Sequence, residues 1–397
     1  MSGATLSIAV IGAGLGGLAA ALSLRRAGFA VEVYEQGAGF NEIGAGIQIG
    51  PNASRILQRL MPQDRLTRDA VRPVAVHQRR WQDGRTLQRA PLGDELEAVF
   101  GAPYYHFHRG DLLLALASQW PRAHVHFRHR LASLQDDGER VTARFENGVE
   151  IAADLLIGAD GIHSVVRAQL FGAEQPRFTG CIAYRGLVPV ERLADLGLEV
   201  VSSNWMGPGQ HFVHYFVSGG RFLNFVGIIE RDSWTRESWT DRGEKRDLLA
   251  AYGGWHEQVH RIIEAVDETF IWALFDRTPL PRWSVGRVTL LGDSCHAMLP
   301  FMAQGAAQAI EDGATLAACL AKLGPERAVE ALSLYEKLRL PRATRLQELS
   351  RLNKTRFHLP DGPRQQQRDA EMAMNGDRSI PAIAWLYEHD AGVVDAT

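Results

Sequence analysis

Two side chains that can move a proton lie four residues apart in the segment from His211 to Tyr215. A histidine changes its protonation state close to neutral pH, and a neighbouring tyrosine can orient or relay the proton. Together, His211 and Tyr215 could take a proton from a hydroxyl group of a bound molecule. The simpler interpretation, that both are ordinary residues of a sheet, stays open here because tyrosine in particular is common in strands.

A β-hairpin is predicted to position these two residues. Aromatic and β-branched runs flank Gly219-Gly220, a pair that is typical of a tight two-residue turn. Strand side chains alternate between two faces, so the side chain of His214 should point away from those of His211 and Tyr215. The expected opposite pairs are His211 with Ile228, Val213 with Val226, and Tyr215 with Asn224. Val213, Asn224 and Val226 are therefore predicted to line the same pocket.

The segment from Leu6 to Glu35 predicts a strand, a glycine turn, a helix and a second strand, the arrangement that binds a dinucleotide. Its glycines have separate roles: a tight turn, close approach to a pyrophosphate, and close packing of the helix on the strand. The residues assigned to these roles are, in that order, Gly12, Gly14, and Gly16 with Gly17. Glu35 lies 23 residues after Gly12, where a carboxylate can accept the ribose hydroxyls. FAD or NAD fits this motif, whereas the carboxylate disfavours a 2′-phosphate.

Two further strands are predicted to end in small residues followed by an acid, at 155–161 and 288–293. Ligands of open α/β sheets bind at the carboxyl ends of strands, so Asp160, Gly161 and Asp293 are candidate binding residues. A long apolar helix should follow from about residue 303 to 323. We expect Glu311 and Asp312 of this helix to be surface charges, and residues 364–377 to form a loosely packed surface segment.

The composition is typical of a globular protein and disfavours several functional classes. The 397 residues are 46% hydrophobic with a formal net charge of -3, and no long basic run suggests nucleic acid or an anionic membrane as a partner. No signal peptide and no membrane span is recognised, so we expect a cytoplasmic protein. Cys181, Cys295 and Cys319 lack metal-ligand spacing, and no metal site is predicted.

The three motifs GAGLGG at 12–17, GADGIHSVVR at 158–167 and GDSCHAMLPFMAQGAAQAIED at 292–312 resemble those of the FAD-dependent aromatic hydroxylases, flavoprotein monooxygenases of the para-hydroxybenzoate hydroxylase type. The resemblance covers the whole chain. The segments HRGDL, YRG and WLYEHD, around Arg109, Arg185 and Trp385, are most similar to the branch of salicylate hydroxylase, 3-hydroxybenzoate 6-hydroxylase and 6-hydroxynicotinate 3-monooxygenase.

The resemblance implies an α/β fold in which a Rossmann-like FAD-binding domain of the GR2 type carries an inserted, mainly antiparallel β-sheet substrate domain and a C-terminal helical region. The expected FAD-binding domain is discontinuous and comprises residues 1–75, 102–178 and 276–345. The substrate domain is expected at 76–101 and 179–275, and the helical segment at 346–397.

The same resemblance implies FAD as the bound cofactor, with NADH or NADPH and O2 as co-substrates. Gly12, Gly14, Gly17, Glu35 and Arg109 would hold the adenosine and pyrophosphate. Asp160 and Gly161 would serve the flavin and the incoming nicotinamide, with Arg167 shaping its approach, and Asp293 would bind the ribityl chain. Backbone N–H groups at Gly305, Ala306 and Ala307 would face the flavin N1 and O2 edge, where a helix N-terminus stabilises negative charge.

The implied reaction is electrophilic attack by a flavin C4a-hydroperoxide on a phenol, which reacts better as the phenolate; His211 and Tyr215 are the catalytic candidates. Pro300 and Phe301 would wall the oxygen-reacting pocket. Phe301 and Gln48 stand where hydroxynicotinate enzymes would carry histidines, and Pro300 where 3-hydroxybenzoate 6-hydroxylases would carry glutamine. By elimination, these departures favour a salicylate-like phenolic acid, hydroxylated with or without decarboxylation, and 6-hydroxynicotinate 3-monooxygenase or 3-hydroxybenzoate 6-hydroxylase activity stays the alternative.

Two other functions stay open from the sequence. A nicotinamide-dependent dehydrogenase would use the glycine motif but not the segments at 160 and 293, and a flavin-binding sensor would bind FAD without turnover. The partner expected for the leading hypothesis is a small aromatic molecule, and the protein is expected to be a monomer or a homodimer.

Overall fold

A computed structural model describes residues 6–40, 45–234, 242–375 and 379–394. Its strands, in chain order, are β1 (Ser7–Ile11), β2 (Ala30–Tyr34), β3 (Gly46–Ile49), β4 (Ala75–Arg80), β5 (Thr86–Pro91), β6 (Tyr105–His108), β7 (Val125–His126), β8 (Leu131–Asp136), β9 (Val141–Phe145), β10 (Glu150–Ala153), β11 (Leu155–Gly158), β12 (Arg177–Pro189), β13 (Ser202–Gly207), β14 (Gln210–Val217), β15 (Phe222–Glu230), β16 (Arg242–Gly243), β17 (Thr269–Asp276), β18 (Ser284–Val285) and β19 (Val288–Leu290). Its α-helices are α1 (Leu15–Arg26), α2 (Pro51–Leu60), α3 (Gln63–Thr67), α4 (Gly93–Phe100), α5 (Arg109–Ala117), α6 (Val165–Phe171), α7 (Lys245–Ala251), α8 (Glu257–Glu264), α9 (Asp293–His296), α10 (Gly305–Leu323), α11 (Ala328–Phe357), α12 (Pro363–Asn375) and α13 (Ser379–Tyr387).

A six-stranded sheet with the order β18-β19-β11-β1-β2-β7 forms the centre of the nucleotide-binding half. Strand β1 is parallel to both β2 and β11, and β19 is parallel to β11. Parallel neighbours need a crossover connection, which α1 supplies between β1 and β2. Because the carboxyl ends of parallel strands share one edge, the turns after β1, β11 and β19 lie together. The predicted Rossmann-like α/β fold is confirmed.

Helix α1 packs closely on helix α10 because both present small residues at their contact. A side chain at Gly313 would overlap the backbone of Ala20, and a Cβ at Gly16 would lie 2.9 Å from the Cβ of Ala309. Ala20 itself is fully buried. This close approach holds the first turn of α10 beside the glycine turn that precedes α1.

The second large sheet has eight strands in the order β16-β17-β12-β15-β14-β13-β4-β5. Its pairs are antiparallel except for β13 with β4, as the prediction of a mainly antiparallel sheet requires. Helices α7 and α8 cover one face, where Tyr252 and Ile262 pack with Phe212 and Phe225. The opposite face is left for the cavity described below.

The predicted hairpin register is confirmed in each of its three pairs. His211 lies opposite Ile228, Val213 opposite Val226, and Tyr215 opposite Asn224. The connection is longer than the two residues expected, because the pairing ends at Val217 and a short 3-10 turn follows at Ser218–Gly220. Both turn glycines have positive φ, 65° at Gly219 and 87° at Gly220, which explains why glycine suits these positions.

Helices complete the C-terminal part of the chain. The predicted domain boundary after residue 345 falls inside α11, which continues from Ala328 to Phe357. The expectation of a loosely packed segment at 364–377 is wrong for the residues that the structure describes, because α12 buries Gln365, Arg368 and Met372; residues 376 and 377 lie outside the described residues. Among the described helices, none is long and apolar enough to cross a membrane.

Candidate active site

The glycine turn after β1 has the geometry that the sequence predicts. Gly12 has a φ of 105°, and a Cβ there would overlap the carbonyl oxygen of Ala159. A Cβ at Gly17 would overlap the carbonyl oxygen of Gly12, so the helix can approach the strand only with glycine at position 17. No described atom lies within 4 Å of a Cβ placed on Gly14. The open space at Gly14 fits a phosphate group that approaches the backbone.

Glu35 follows β2 and holds two loops together. Its carboxylate oxygens accept hydrogen bonds from the backbone N–H of Ala13 (2.8 Å) and of Gly37 (2.7 Å). The carboxylate is therefore fixed at the carboxyl edge of the sheet, next to the glycine turn. Its predicted contact with ribose hydroxyls stays a prediction.

A cavity of about 540 Å³ connects the glycine turn with the eight-stranded sheet. Its lining includes most of the residues that the sequence singled out for binding or catalysis. These are Gly14, Gly16, Gly17, Gln48, Arg109, Gly161, His211, Val213, Tyr215, Val226, Asp293, Pro300, Phe301, Gly305 and Ala306. Motifs that lie far apart in the chain, from Gly14 to Ala306, thus border one space.

The N-terminus of α10 borders this cavity, and the first N–H groups of a helix have no partner within the helix. Gln304, the residue before the helix, makes no side-chain capping hydrogen bond, and Gly305 and Ala306 of the first turn line the cavity. Free N–H groups and the helix dipole stabilise negative charge, as the reduced flavin carries at its N1 and O2 edge. Ala307 is buried in the same turn and does not line the cavity.

The two predicted acids at strand ends differ in their surroundings. Asp293 is exposed on the cavity wall. Asp160 does not line the cavity; its carboxylate caps α6 by accepting from the Ser164 hydroxyl (2.5 Å) and from the backbone N–H of Val165 (2.7 Å). Burial raises the pKa of the Asp160 carboxyl despite these bonds. Asp160 therefore orders the turn that presents Gly161, and a direct contact with the cofactor stays a prediction.

Arg167, which the resemblance assigns to the nicotinamide approach, is buried away from the cavity. Its guanidinium lies 2.5 Å from the carboxylate of Glu174. It also contacts the backbone carbonyl oxygen of Ser294, at 3.5 Å. Arg167 thus braces the turn after β19, next to Asp293.

One row of residues crosses the eight-stranded sheet and forms its cavity face. Register places its members side by side on β4, β13, β14, β15 and β12. This sheet wall consists of Gln78, Asn204, Val213, Val226 and Arg185, all of which line the cavity. His211 and Tyr215 flank Val213 on β14, so both reach the same space, whereas His214 lines a separate cavity on the opposite face.

Asn224 has a different position from the one expected. It does not line the cavity; its side-chain oxygen accepts a hydrogen bond from the backbone N–H of Gly46 at 2.8 Å. Asn224 therefore fixes strand β3, which carries Gln48 into the cavity. The Tyr104 hydroxyl donates to the Gln48 side-chain oxygen at 2.8 Å and holds that side chain in place.

His211 is the inner end of a chain of polar groups that the sequence did not reveal. Its Nδ1 lies 2.6 Å from Nε2 of His358, and Nδ1 of His358 lies 2.8 Å from a carboxylate oxygen of Glu230. Burial lowers the pKa of His211 well below its usual value, and His358 lowers it further. The side chain of Glu230 could have been placed near His211 from the hairpin register, because residues 228 and 230 share a face. No sequence signal places the end of α11 there.

Arg185 is a second residue whose position sequence reasoning did not supply. Its guanidinium carbon lies 4.5 Å from the ring centroid of Trp272, and its Nε has no hydrogen-bond partner among the described residues. Burial lowers the pKa of Arg185 to about 10, so the side chain stays cationic at neutral pH. The cavity therefore contains a positive charge facing the same space as His211.

The expectation that Glu311 and Asp312 are surface charges is wrong. Both side chains are fully buried behind the cavity-facing turn of α10. Arg339 pairs with both carboxylates, at 2.8 Å from Asp312, and Arg342 lies 2.7 Å from Glu311. Each charge has a partner in this buried ion cluster (Glu311, Asp312, Arg339 and Arg342), which explains how α10 tolerates them in its core-facing side.

Comparisons with known proteins find a matching family and several similar proteins. A family described as FAD binding domain matches residues 5–350. The chain is 40% identical to the 3-amino-4-hydroxybenzoate 2-monooxygenase of Streptomyces cremeus, over 99% of this chain and 97% of that protein. It is also 40% identical to the 6-hydroxynicotinate 3-monooxygenase of Bordetella bronchiseptica, over 87% of this chain and 91% of that protein. The structure of Klebsiella pneumoniae HpxO complexed with FAD and uric acid superposes with a TM-score of 0.87 at 29% identity, covering 98% of this chain and 97% of that one.

Proposed function

Because this chain belongs to the FAD binding domain family, we propose that it is a monooxygenase that uses FAD, NADH or NADPH, and O2 to hydroxylate a small aromatic acid with a ring hydroxyl. The cavity carries this proposal, since it joins the dinucleotide turn and the start of α10 to a wall that holds a base and a cation. The predictions of an aromatic-ring flavoprotein monooxygenase and of FAD as its cofactor are confirmed; the individual substrate is proposed here.

Different residues of the chain have separate roles in this reaction. Bound FAD, when reduced, supplies the activation of O2 and the transfer of one oxygen atom. His211 takes the proton of the ring hydroxyl at Nε2, because its Nδ1 is engaged by His358. The phenolate that results is a much stronger nucleophile than the phenol. Phe301, whose ring centroid lies 5.0 Å from that of His211, excludes water from the place where oxygen is transferred.

Within this class, we infer a hydroxybenzoate or aminohydroxybenzoate rather than a hydroxynicotinate. Gln48 and Phe301 both line the cavity at positions where the resemblance associates histidines with hydroxynicotinate enzymes. The first relative named above acts on an aminohydroxybenzoate and matches almost the whole chain. Whether hydroxylation occurs at the carbon that bears the carboxylate is decided by product analysis.

The test is a coupled assay with the FAD-loaded protein. Salicylate, 3-hydroxybenzoate, 3-amino-4-hydroxybenzoate and 6-hydroxynicotinate are each supplied with NADH or NADPH under ¹⁸O2. We expect a yellow protein whose NAD(P)H oxidation is stimulated by one of the benzoates, and a product with a single ¹⁸O atom. A protein that holds FAD but shows no ligand-stimulated NAD(P)H oxidation would contradict the proposal and favour a flavin-binding sensor.

Arg185 is proposed to bind the carboxylate of the substrate. Replacement with glutamine should raise KM for the aromatic acid by about 10- to 100-fold with a smaller change in kcat, because a charge-assisted hydrogen bond to a bound carboxylate is lost. Arg185→Lys should recover only part of this loss, since lysine does not provide the planar pair of donors. Steady-state kinetics of the three proteins measure the effect.

A ligand without the carboxylate provides the control for Arg185. The wild type should bind 2-aminophenol more weakly than 3-amino-4-hydroxybenzoate, and Arg185→Gln should remove most of that difference. If the variant weakens binding of both ligands equally, Arg185 supports the shape of the cavity and does not bind the carboxylate.

A further inference from the structure

We propose that His358 and Glu230 form a proton relay that carries the proton accepted by His211 out of the cavity to solvent. The proposal rests on the function proposed above and extends it, because it assigns a role to two residues that do not touch the substrate. It also explains how a base that is enclosed by aromatic side chains exchanges protons with water.

The three groups are arranged in order from the cavity to the surface. His211 is 2% exposed and lines the cavity, His358 at the end of α11 is 5% exposed, and the Glu230 side chain is 43% exposed. The link between the two histidine nitrogens is short at 2.6 Å, and the link from His358 to Glu230 is 2.8 Å, within the usual range, so both are close enough for hydrogen bonding. A continuous hydrogen-bonded path therefore leads from the reacting end of the cavity to water.

The donor and acceptor capacities of the three side chains determine the tautomers of His358 and His211. The ionised Glu230 carboxylate can only accept, so His358 must donate from Nδ1 and keep a lone pair at Nε2. That lone pair can accept only if His211 donates from its own Nδ1. A neutral His211 with its proton on Nδ1 has a free lone pair at Nε2. The resting arrangement thus presents a base to the cavity.

The transfer balances with four proton shifts and no change in oxidation state. The substrate O–H bond breaks as an N–H bond forms at Nε2 of His211. The Nδ1 proton of His211 passes to Nε2 of His358, the Nδ1 proton of His358 passes to Glu230, and Glu230 releases a proton to water. The starting tautomers return when one proton moves inward by the same path: water protonates Glu230, Glu230 passes its proton to Nδ1 of His358, and the Nε2 proton of His358 returns to Nδ1 of His211. The Nε2 proton of His211 then passes back to the oxyanion of the bound product.

The surroundings of His211 explain why a relay is needed. Phe301 and Phe357 pack edge-on against its ring, at centroid distances of 5.0 Å and 5.3 Å. Burial opposes a charged imidazolium there, as the depressed pKa of His211 indicates. A proton that stays on His211 is therefore unfavourable, and removing Nδ1–H as Nε2–H forms avoids that charged state.

The charges that face the outer part of the relay favour an ionised Glu230. The hydrogen bond from His358 lowers the pKa of the Glu230 carboxyl, and the ammonium group of Lys354, 3.9 Å away, lowers it further. Burial lowers the pKa of His358, which keeps that ring neutral. Cys181 lies close enough to form a three-ligand group with Glu230 and His358, but the positive charge of Lys354 beside Glu230 disfavours a metal cation.

Proton release on ligand binding tests the relay without turnover. The FAD-loaded protein, without NAD(P)H, is mixed with 3-amino-4-hydroxybenzoate in weakly buffered phenol red at neutral pH in a stopped-flow instrument. We expect the wild type to release a proton as the ligand binds. His358→Gln and Glu230→Gln should release it about 10- to 100-fold more slowly, because neither amide accepts a proton at neutral pH.

The controls separate the relay from stability and from the proposed function. Glu371→Gln, an exposed exchange on α12, should behave as the wild type, and Glu230→Asp should recover part of the rate. If the wild type hydroxylates the ligand but both glutamine variants release protons at the wild-type rate, the relay is wrong and the proposed function stands. If His358→Gln fails to bind FAD, the rate of proton release from the surface variant Glu230→Gln tests the relay by itself. If the wild type shows no ligand-stimulated oxidation of NAD(P)H, both the proposed function and the relay are wrong.

Histidine tautomers supply a readout that is independent of activity. The ¹⁵N spectrum of the histidine-labelled, FAD-loaded protein is assigned at two positions by comparison with His211→Gln and His358→Gln. Both rings should be neutral and protonated at Nδ1. Protonation of His211 at Nε2 in the free enzyme would contradict the proposal, because that tautomer cannot accept a proton from the cavity.

Discussion

Replacing His211 with glutamine is expected to lower kcat for product formation by about 10²- to 10⁴-fold, the range that a positioned general base contributes. Glutamine can still form a hydrogen bond with His358 but cannot take a proton at neutral pH. FAD should stay bound, because the residues that form the dinucleotide turn lie on the other sheet. Product is measured by chromatography, and the FAD content is measured from the flavin absorbance of the purified variant.

The pH dependence of this variant tests the mechanism more directly than the loss of rate. In the wild type, His211 has a depressed pKa and is already unprotonated at neutral pH. Without this base, only substrate that ionises in solution can react, so the rate of the variant should rise as the pH rises through the pKa of the free phenol. A wild type and a variant with parallel pH profiles would argue against His211 as the base.

His214 provides the matched control on the same strand. It is 3% exposed, but it points to the opposite face of the sheet and lines the separate cavity there. His214→Gln should keep its hydroxylase activity. If both glutamine variants lose activity to the same extent, the loss comes from disruption of β14 and not from removal of a base.

Local patterns were sufficient to predict much of the fold. The glycine turn, the strand before it and the acid at the end of β2 follow from chain geometry within some thirty residues. The hairpin register around His211 was predicted pair by pair, because alternation and the position of the turn leave one solution. These features involve neighbours in sequence, for which spacing alone determines which side chains share a face.

Features that depend on distant contacts could not be predicted in the same way. Arg185 reaches the cavity because β12 pairs with β15, and nothing in either strand specifies that neighbour. His358 contacts His211 across 147 residues, through the end of a helix whose direction is set by packing. In the sequence, Glu311 and Asp312 are typical of the solvent-exposed face of a helix. Only the structure shows that Arg339 of the next helix pairs with both carboxylates.

The buried ion cluster also connects the cofactor side of the site with the C-terminal segment. Asp312 accepts a hydrogen bond from the backbone N–H of Gly292 (3.0 Å), the residue before Asp293. Arg342 donates to the carbonyl oxygens of Trp385 (3.0 Å) and Leu386 (2.8 Å). The cluster therefore holds the turn at Gly292, helix α10 and the WLYEHD segment in one arrangement, which gives that C-terminal motif a structural role.

Replacing Arg339 with methionine should destabilise the protein by about 3–5 kcal/mol, because two buried carboxylates lose a shared partner. Burial opposes ionisation of Glu311, but Arg339 and Arg342 outweigh it and hold its pKa at about 2, below the ordinary 4.5. This depressed pKa contributes stability above about pH 4.5 that is lost as the pH falls towards 2, so the deficit of the variant should shrink over that range. Urea unfolding across this pH range measures the difference in unfolding free energy between the variant and the wild type.

Two further variants serve as controls for Arg339→Met. Adding Glu311→Gln and Asp312→Asn should recover part of the lost stability. Arg327→Met, at an exposed pair with Glu330, should leave the urea midpoint near that of the wild type. A deficit that is unchanged at low pH, or unrelieved by the two amides, would mean that Arg339 stabilises the core through its packing and not through its charge.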